Sequence, residues 1–276
     1  MARDNSIAFI GGGNMARSLI GGLVRTGVAA SSLRVGEPNA ELAAALAREF
    51  GVAAGADNGA AVHGAGTWVL AVKPQSMQAV CATLRSAAQA RAPLVISIAA
   101  GIRTDQVERW LGGGIAVVRA MPNTPALIGA GATGMFATAQ VDPRRRAIAE
   151  RVLGAVGITA WIEDESLMDA VTAISGSAPA YFFLLVESLE DAGVAEGLPR
   201  DTARRLAIQT CLGAGRMLAE DDGAEPAQLR QRVTSPGGTT QAALDSFATG
   251  RFAEIVAQAV RAARERGREL SAHFGD

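Results

Sequence analysis

Histidine, cysteine, lysine and tyrosine are nearly missing from this sequence, and each shortage closes off a chemistry. The two histidines, His63 in a polar stretch and His273 close to the end of the chain, leave no histidine-centred metal site and no Ser-His relay to build. The two cysteines, Cys81 and Cys211, stand far apart in helix-like segments without metal-ligand or redox-pair spacing, so they read as buried free thiols in a reducing compartment. Lys73 is the only lysine, the other 25 basic residues being arginine. Long apolar runs are lacking too. No segment approaches the roughly 20 unbroken apolar residues of a membrane span, and the opening MARDNSIAFI holds no stretch of signal-peptide length. Charge of one sign is also missing: 26 basic and 27 acidic residues give a net charge of −1, which offers no electrostatic hold on nucleic acid or an anionic membrane. A cytoplasmic protein that binds small molecules, without nucleic-acid or membrane partners, is the expectation. What is plentiful is apolar content, 49% of 276 residues, enough for a large core in one large or two ordinary domains.

The first 160 or so residues alternate short β-type runs with helix-type runs. IAFI precedes Met15–Thr26, LRV precedes Ala40–Phe50, TWVLAV precedes Ser76–Ala90, LVISIA precedes Thr104–Leu111, and IAVVRA follows. Strand and helix in strict turn predict a parallel sheet covered on both faces. GATGMFA, a helix over Arg144–Val156 and ITAWI would extend that sheet. From Glu163 onward no β-type run appears, and the remainder reads as helix with breaks at Ser175–Pro179, Gly197–Pro199 and Thr234–Gly238. The predicted fold is therefore α/β followed by all-α: a parallel-sheet domain over residues 1–163 and a helical domain over 164–276. Ala180–Leu189, AYFFLLVESL, is apolar around most of its circumference. A small helical domain cannot easily bury such a helix alone, which predicts a homodimer intertwined through these helices.

Gly11-Gly12-Gly13-Asn14-Met15-Ala16 follows a strand and opens a helix, matching G-x-G-x-x-A. In that pattern Gly11 allows the tight turn, Gly13 lets a pyrophosphate approach the backbone, and Ala16 lets helix and strand pack closely. The helix N-terminus meets the phosphate with unpaired N–H groups and a partial positive charge. Glu37, 26 positions after the first glycine and at the end of the second β-type run, is placed to hold ribose hydroxyls and repel a 2′-phosphate, which leans toward NADH without excluding NADPH. Lys73, in Ala71-Val72-Lys73-Pro74 at a strand's carboxyl end, is a candidate for cofactor contact. Ser97–Gly101 and Arg119–Pro125 end two further strands and could line the nicotinamide end of the cleft.

With these residues in place, the chain resembles pyrroline-5-carboxylate reductases over nearly its whole length. The resemblance rests on separated motifs in family order: FIGGGNMA, AVKP, SIAAG, RAMPNTPA, DAVTAISGSAPAY and VTSPGGTTQAAL. It implies an N-terminal Rossmann-type dinucleotide-binding domain and an all-α dimerisation and substrate-binding domain, reducing 1-pyrroline-5-carboxylate to L-proline with NADH or NADPH and no metal, in a homodimer that often assembles into decamers. It also implies that Gly11, Gly12, Gly13, Asn14 and Met15 cradle the pyrophosphate and that Asn58 reaches the adenosine ribose. Ala71, Val72, Lys73 and Pro74 would run along the cofactor, with Ala99 and Ala100 beside nicotinamide. Ser235, Gly237, Gly238, Thr239 and Thr240 would form the substrate loop, whose N–H groups hold the carboxylate while Thr240 hydrogen-bonds the ring nitrogen. Glu165 matches a family acid near the substrate, although placement at a helix start explains it equally. Ala178 stands where many relatives would carry glycine.

The chemistry suits the shortages. Hydride transfer to a protonated cyclic imine needs orientation, exclusion of water and one managed proton, not a strong protein acid. A glycine-rich turn opening a helix can hold the carboxylate through backbone N–H groups alone. Two other readings exist. A β-hydroxyacid dehydrogenase shares the domain plan but places a catalytic lysine in its helical domain, where this chain has none. A non-catalytic NAD(P)H sensor would have no use for the SPGGTT turn.

Overall fold

Alternation of two-residue period along the first strand decides which side chains go to which face of the sheet. In β1 (Ile7–Ile10), Ile7 and Phe9 enter one buried cluster and Ala8 and Ile10 the other, all at most 1% exposed, so the sheet is covered on both faces. The computed structural model describes residues 6–221, 223 and 225–273. After β1 come α1 (Asn14–Arg25), β2 (Leu33–Gly36), α2 (Ala40–Phe50), β3 (Ala53–Gly55) and α3 (Asn58–Val62). The chain continues through β4 (Thr67–Leu70), α4 (Pro74–Arg91), β5 (Leu94–Ser97), α5 (Thr104–Trp110) and β6 (Ala116–Met121). β7 (Gly131–Ala137), α6 (Pro143–Gly154) and β8 (Gly157–Trp161) complete an eight-stranded sheet in the order β3-β2-β1-β4-β5-β6-β7-β8.

The first six strands are parallel, as expected, but β7 runs antiparallel to β6 and carries β8 with it. The β6–β7 connection holds only a short 3-10 turn over Thr124–Ile128, with no crossover helix to bring the chain back to the starting edge, so it returns in the opposite direction. Burial in α4 also fixes the chemistry of Cys81, whose thiol is pushed up to about 12 and stays protonated. Cys211 is a half-buried free thiol.

Contacts divide the chain into one unit of Met1–Ser177 with Ala263–Asp276, and a second of Ala178–Ala262. Relative to the expected boundary at 163/164, the stretch up to Ser177 and the end of the chain group with the sheet. In the first unit α7 (Met168–Val171) runs into a π-helical turn over Thr172–Gly176, closed by the Ser177 N–H donating to the Thr172 carbonyl at 2.8 Å. The break expected at Ser175–Pro179 is thus a change of helical pitch, and the helix continues as α8 (Ala178–Ala195). Pro179 has no N–H to give the Ser175 carbonyl; the Asn123 side-chain amide supplies the donor instead, at 3.0 Å. From Glu165 to Ala195 the chain is 31 residues of helix, long and apolar enough by length and composition to cross a membrane, which the count of unbroken apolar residues had not suggested.

In the second unit α8 and α9 (Arg200–Glu220) form a hairpin around Gly197, whose φ of +97° suits the tight turn. α10 (Pro226–Arg232), α11 (Thr239–Thr249) and the first half of α12 (Phe252–His273) follow. The apolar circumference of α8 is not buried within the chain: Phe182, Phe183 and Leu184 are 58%, 69% and 62% exposed. Glu190 is the exception on this helix. It is buried against α9, accepting from Arg204 Nε and Nη2 at 2.8 and 2.9 Å and from Arg200 Nη1 at 2.8 Å.

The hydrogen bond from Arg204, then that from Arg200, holds the Glu190 carboxyl below its ordinary range. A folded-state value below the unfolded one adds stability that is complete above the unfolded value and disappears as pH falls through the folded one. Glu190→Gln is therefore expected to lower stability at pH 7 and to flatten the loss of stability between about pH 5 and pH 3, measured by urea titration across that range. A variant whose acid limb parallels that of the parent would show that this ion pair is not the acid-sensitive contact.

Candidate cofactor and substrate site

The turn between β1 and α1 is pinned on both sides. Gly11 takes φ of +97°, its N–H donates to the Gly36 carbonyl at 2.8 Å, and a Cβ on it would stand 2.7 Å from the Ala71 carbonyl oxygen. Only glycine can lie that close to the ends of β2 and β4. Gly12 is equally enclosed, with a Cβ there 2.7 Å from Leu46 Cδ1, and its N–H donates to Glu37 Oε2 at 2.8 Å. Gly13 differs from both. It is exposed, precedes α1 as its cap, and has nothing within 4 Å of where a Cβ would be.

No side chain caps α1 and no acid sits in its first turn, so the leading N–H groups of the helix face open space. That combination suits a phosphate. Of the five residues expected to cradle it, Gly11 and Gly12 spend their N–H groups on Gly36 and Glu37, which leaves Gly13, Asn14 and Met15 as the donors. Glu37 is held at both oxygens, Oε2 by Gly12 and Oε1 by the Asn39 N–H at 2.8 Å. Across from it, Asn58 Oδ1 is buried without a partner, and a Cβ on Gly36 would overlap it. An orphaned buried acceptor beside a fixed carboxylate fits a sugar's hydroxyl groups.

Ala71, Val72 and Pro74 are half-buried where β4 gives way to α4, with the exposed Lys73 at the N-cap. Ala99 is buried and Ala100 exposed after β5. All these residues lie along the carboxyl ends of β1, β2, β4 and β5, where the strand order reverses between β1 and β4. Dinucleotides bind at such a switch point, with the adenosine half toward β2 and the nicotinamide half toward β4 and β5.

Ser235, Gly237, Gly238, Thr239 and Thr240 belong to the second unit. Gly237 has φ of +70°, and Gly238 caps α11 with no side-chain hydrogen bond. Thr239 and Thr240 are exposed in the first turn of that helix. Here again a helix of 11 residues presents uncapped N–H groups, beside a threonine hydroxyl that can donate or accept.

Glu165 is tied to the start of α5 and to β6. Its Oε1 accepts from the Thr104 N–H at 2.8 Å and its Oε2 from Thr104 Oγ1 at 2.6 Å, while Arg119 Nη1 stands 3.3 Å from Oε1. The sequence marks Arg119 only as the first residue of the Arg119–Pro125 segment and singles out neither Thr104 nor Asp169 as its neighbour. Arg119 left a signal, being a charge inside the otherwise apolar strand Ala116–Met121, but its acidic partners lie 46 and 50 positions away and no sequence spacing announces them.

Residues 165–270 match the family model described as pyrroline-5-carboxylate reductase dimerisation, and residues 6–101 match one described as NADP oxidoreductase, coenzyme F420-dependent. A curated pyrroline-5-carboxylate reductase of Pseudomonas aeruginosa is 51% identical over 98% of each chain. A solved pyrroline-5-carboxylate reductase of Coxiella burnetii is 41% identical with a TM-score of 0.94, covering 96% of this chain and 98% of that one. The Plasmodium falciparum pyrroline carboxylate reductase, solved with NADP bound, is 29% identical with a TM-score of 0.83 over 98% and 99% of the two chains. The two-part fold, the glycine turn at the switch point and these likenesses together place the chain in the pyrroline-5-carboxylate reductase family.

Proposed function

We propose that the chain reduces 1-pyrroline-5-carboxylate to L-proline as a homodimer in the cytoplasm, drawing on NADH or NADPH. The observation that carries the cofactor half is the open, uncapped start of α1 at Gly13, flanked by a carboxylate fixed on two backbone N–H groups. When bound, the nicotinamide supplies a hydride to the imine carbon. This chain's residues do the rest. The N–H groups of Gly13, Asn14 and Met15 take the pyrophosphate, Glu37 and Asn58 take the adenosine ribose, and Ala71–Pro74 lie along the cofactor with Lys73 supporting its binding. Ala99 and Ala100 offer small apolar surface to the ring. At α11, backbone N–H groups after Ser235–Gly238, together with Thr239, hold the substrate carboxylate, and Thr240 Oγ1 stays bonded to the ring nitrogen as it changes from iminium to amine.

The lysine on which β-hydroxyacid dehydrogenases depend has no counterpart, since Lys73 is the only lysine and precedes the helical unit. A sensor without turnover is separated from an enzyme by a fall in NADH absorbance when the imine is added. Exposure of Phe182, Phe183 and Leu184 supports pairing of two copies through α8, and the family's decameric assembly would build on that dimer.

Thr240→Ala is expected to lower kcat/KM roughly ten- to a hundred-fold, matching loss of a hydrogen bond to a charged group worth about 1.5–3 kcal/mol, with Thr240→Ser retaining most activity. Near-parental steady-state rates in Thr240→Ala would remove this residue from the chemistry. Because turning Glu37 away sacrifices two hydrogen bonds, a 2′-phosphate meets a fixed negative charge. Glu37→Ser should shift the ratio of kcat/KM for NADPH over NADH upward by about tenfold or more. An unchanged ratio would mean that the 2′ position lies elsewhere. Phe183→Asp should convert the dimer to monomers in light scattering, and a variant that stays dimeric would move the interface off α8.

A further inference from the structure

The Glu165 carboxylate spends both oxygens on Thr104, the first residue of α5, and shares one of them with Arg119. Arg119 is 5% exposed, and its other terminal nitrogen stands 3.6 Å from Asp169 Oδ1. A buried guanidinium between two carboxylates is costly to move, because taking away one partner leaves an uncompensated charge. These four residues all belong to the first unit, so the network is a rigid part of the sheet domain. Its position matters as much as its strength. Thr104 directly follows the segment 98–103 that carries Ala99 and Ala100, and Arg119 on β6 stands in register with Ser97, where that segment begins. The segment therefore runs from a strand pairing with Arg119 at one end to Thr104, held by Glu165, at the other.

We propose that Glu165, together with Arg119, is a positioning residue that fixes the 98–103 segment against the nicotinamide ring, and that it does not bind the substrate. The proposal rests on the cofactor placement given above. Three of the roughly four acceptor sites of the Glu165 carboxylate are already taken, by an N–H, a hydroxyl and a guanidinium, one more than on Glu37. The same bonds set how close Ala99 and Ala100 come to the ring face, and hydride transfer is sensitive to shifts of that size.

The test compares Glu165→Gln, Thr104→Val and Thr104→Ser with the parent enzyme, reading kcat, the KM of NADH, the KM of the imine and the affinity for ADP-ribose, which lacks the nicotinamide. Glu165→Gln is expected to raise the KM of NADH and lower kcat by about tenfold each, while the imine KM and the ADP-ribose affinity stay within about twofold. Thr104→Val, which deletes only the hydroxyl bond, should show the same pattern more weakly, and Thr104→Ser should restore the parent values. A rise confined to the imine KM would make Glu165 a substrate ligand. An equal loss of ADP-ribose affinity would make the network a support of the fold alone. Either result, or unchanged kinetics, overturns the proposal, and Thr104→Val decides it if Glu165→Gln does not fold. A parent protein that neither oxidises NADH nor binds ADP-ribose would instead overturn the cofactor reading itself.

Discussion

The close approach of Gly11 to the Ala71 carbonyl is the constraint to which the whole carboxyl edge of the sheet is referred. A side chain at this position would collide with the backbone at the end of β4, and the positive φ of Gly11 turns the chain sharply into α1. Because the turn is held by β2 through Gly36 and packed against β4, the first N–H groups of α1 are aimed at the gap where strand order reverses. Three glycines stand in a row, yet each answers a different demand: Gly11 meets a backbone, Gly12 meets Leu46 and Glu37, and Gly13 meets nothing. The last leaves room for a ligand.

The two units bury their apolar surface to different extents. The sheet unit has two apolar clusters covering both faces, although Ile128, Ile158 and Ile174 stay exposed, and Arg119, its deeply placed cation among the described residues, is paired with two acids. The helical unit leaves large side chains in water along α8, α9 and α12, among them Phe183, Leu206 and Ile255. An apolar face of that extent on several helices is complete only against another protein surface. Within the helical hairpin the contrast is instructive: a Cβ on Gly193 of α8 would stand 3.2 Å from Ala203 Cβ of α9, and the buried Glu190 is met by two arginines. Polar contacts hold the hairpin, and its apolar remainder stays exposed.

Much of this architecture was legible in the residues. Every β-type run named from the sequence is a strand, and the helix at Ala40–Phe50 has the expected bounds, set by the Asn39 side chain at its start and the left-handed Gly51 at its end. β3 escaped because Ala53-Ala54-Gly55 has none of the branched or aromatic side chains that mark a strand, and α3 because five residues make too short a period to read. The reversal at β7 depends on the absence of a crossover helix, which composition does not reveal. Proline and glycine at 176–179 correctly signalled an interruption but not its kind. The π-turn exists because Asn123, more than 50 positions away, satisfies the Ser175 carbonyl that Pro179 cannot serve. For the site, the glycine turn and Glu37 follow from local pattern, whereas Glu165, Arg119 and Asp169 make sense only once β6 lies beside β5 and the start of the helical stretch comes down on it.

The scarcity of titratable groups then acquires a physical meaning. A protonated imine bearing a carboxylate is a zwitterion, and a lysine or histidine beside the ring would compete with the ring nitrogen for the proton and repel it once charged. Residues 178–262 contain neither lysine nor histidine, and the α11 turn offers neutral donors, N–H groups and a hydroxyl, where an arginine might have been used for the carboxylate. Backbone donors at a helix start favour the anion without presenting a full positive charge to the cationic carbon that must accept the hydride. The arginines of this unit whose pairing is visible on α9 are tied to Glu190 and Asp191 or to Glu220. On the proposed reading the proton that makes the imine electrophilic is governed by the substrate's own basicity, and the protein's contribution reduces to holding two molecules at the right distance.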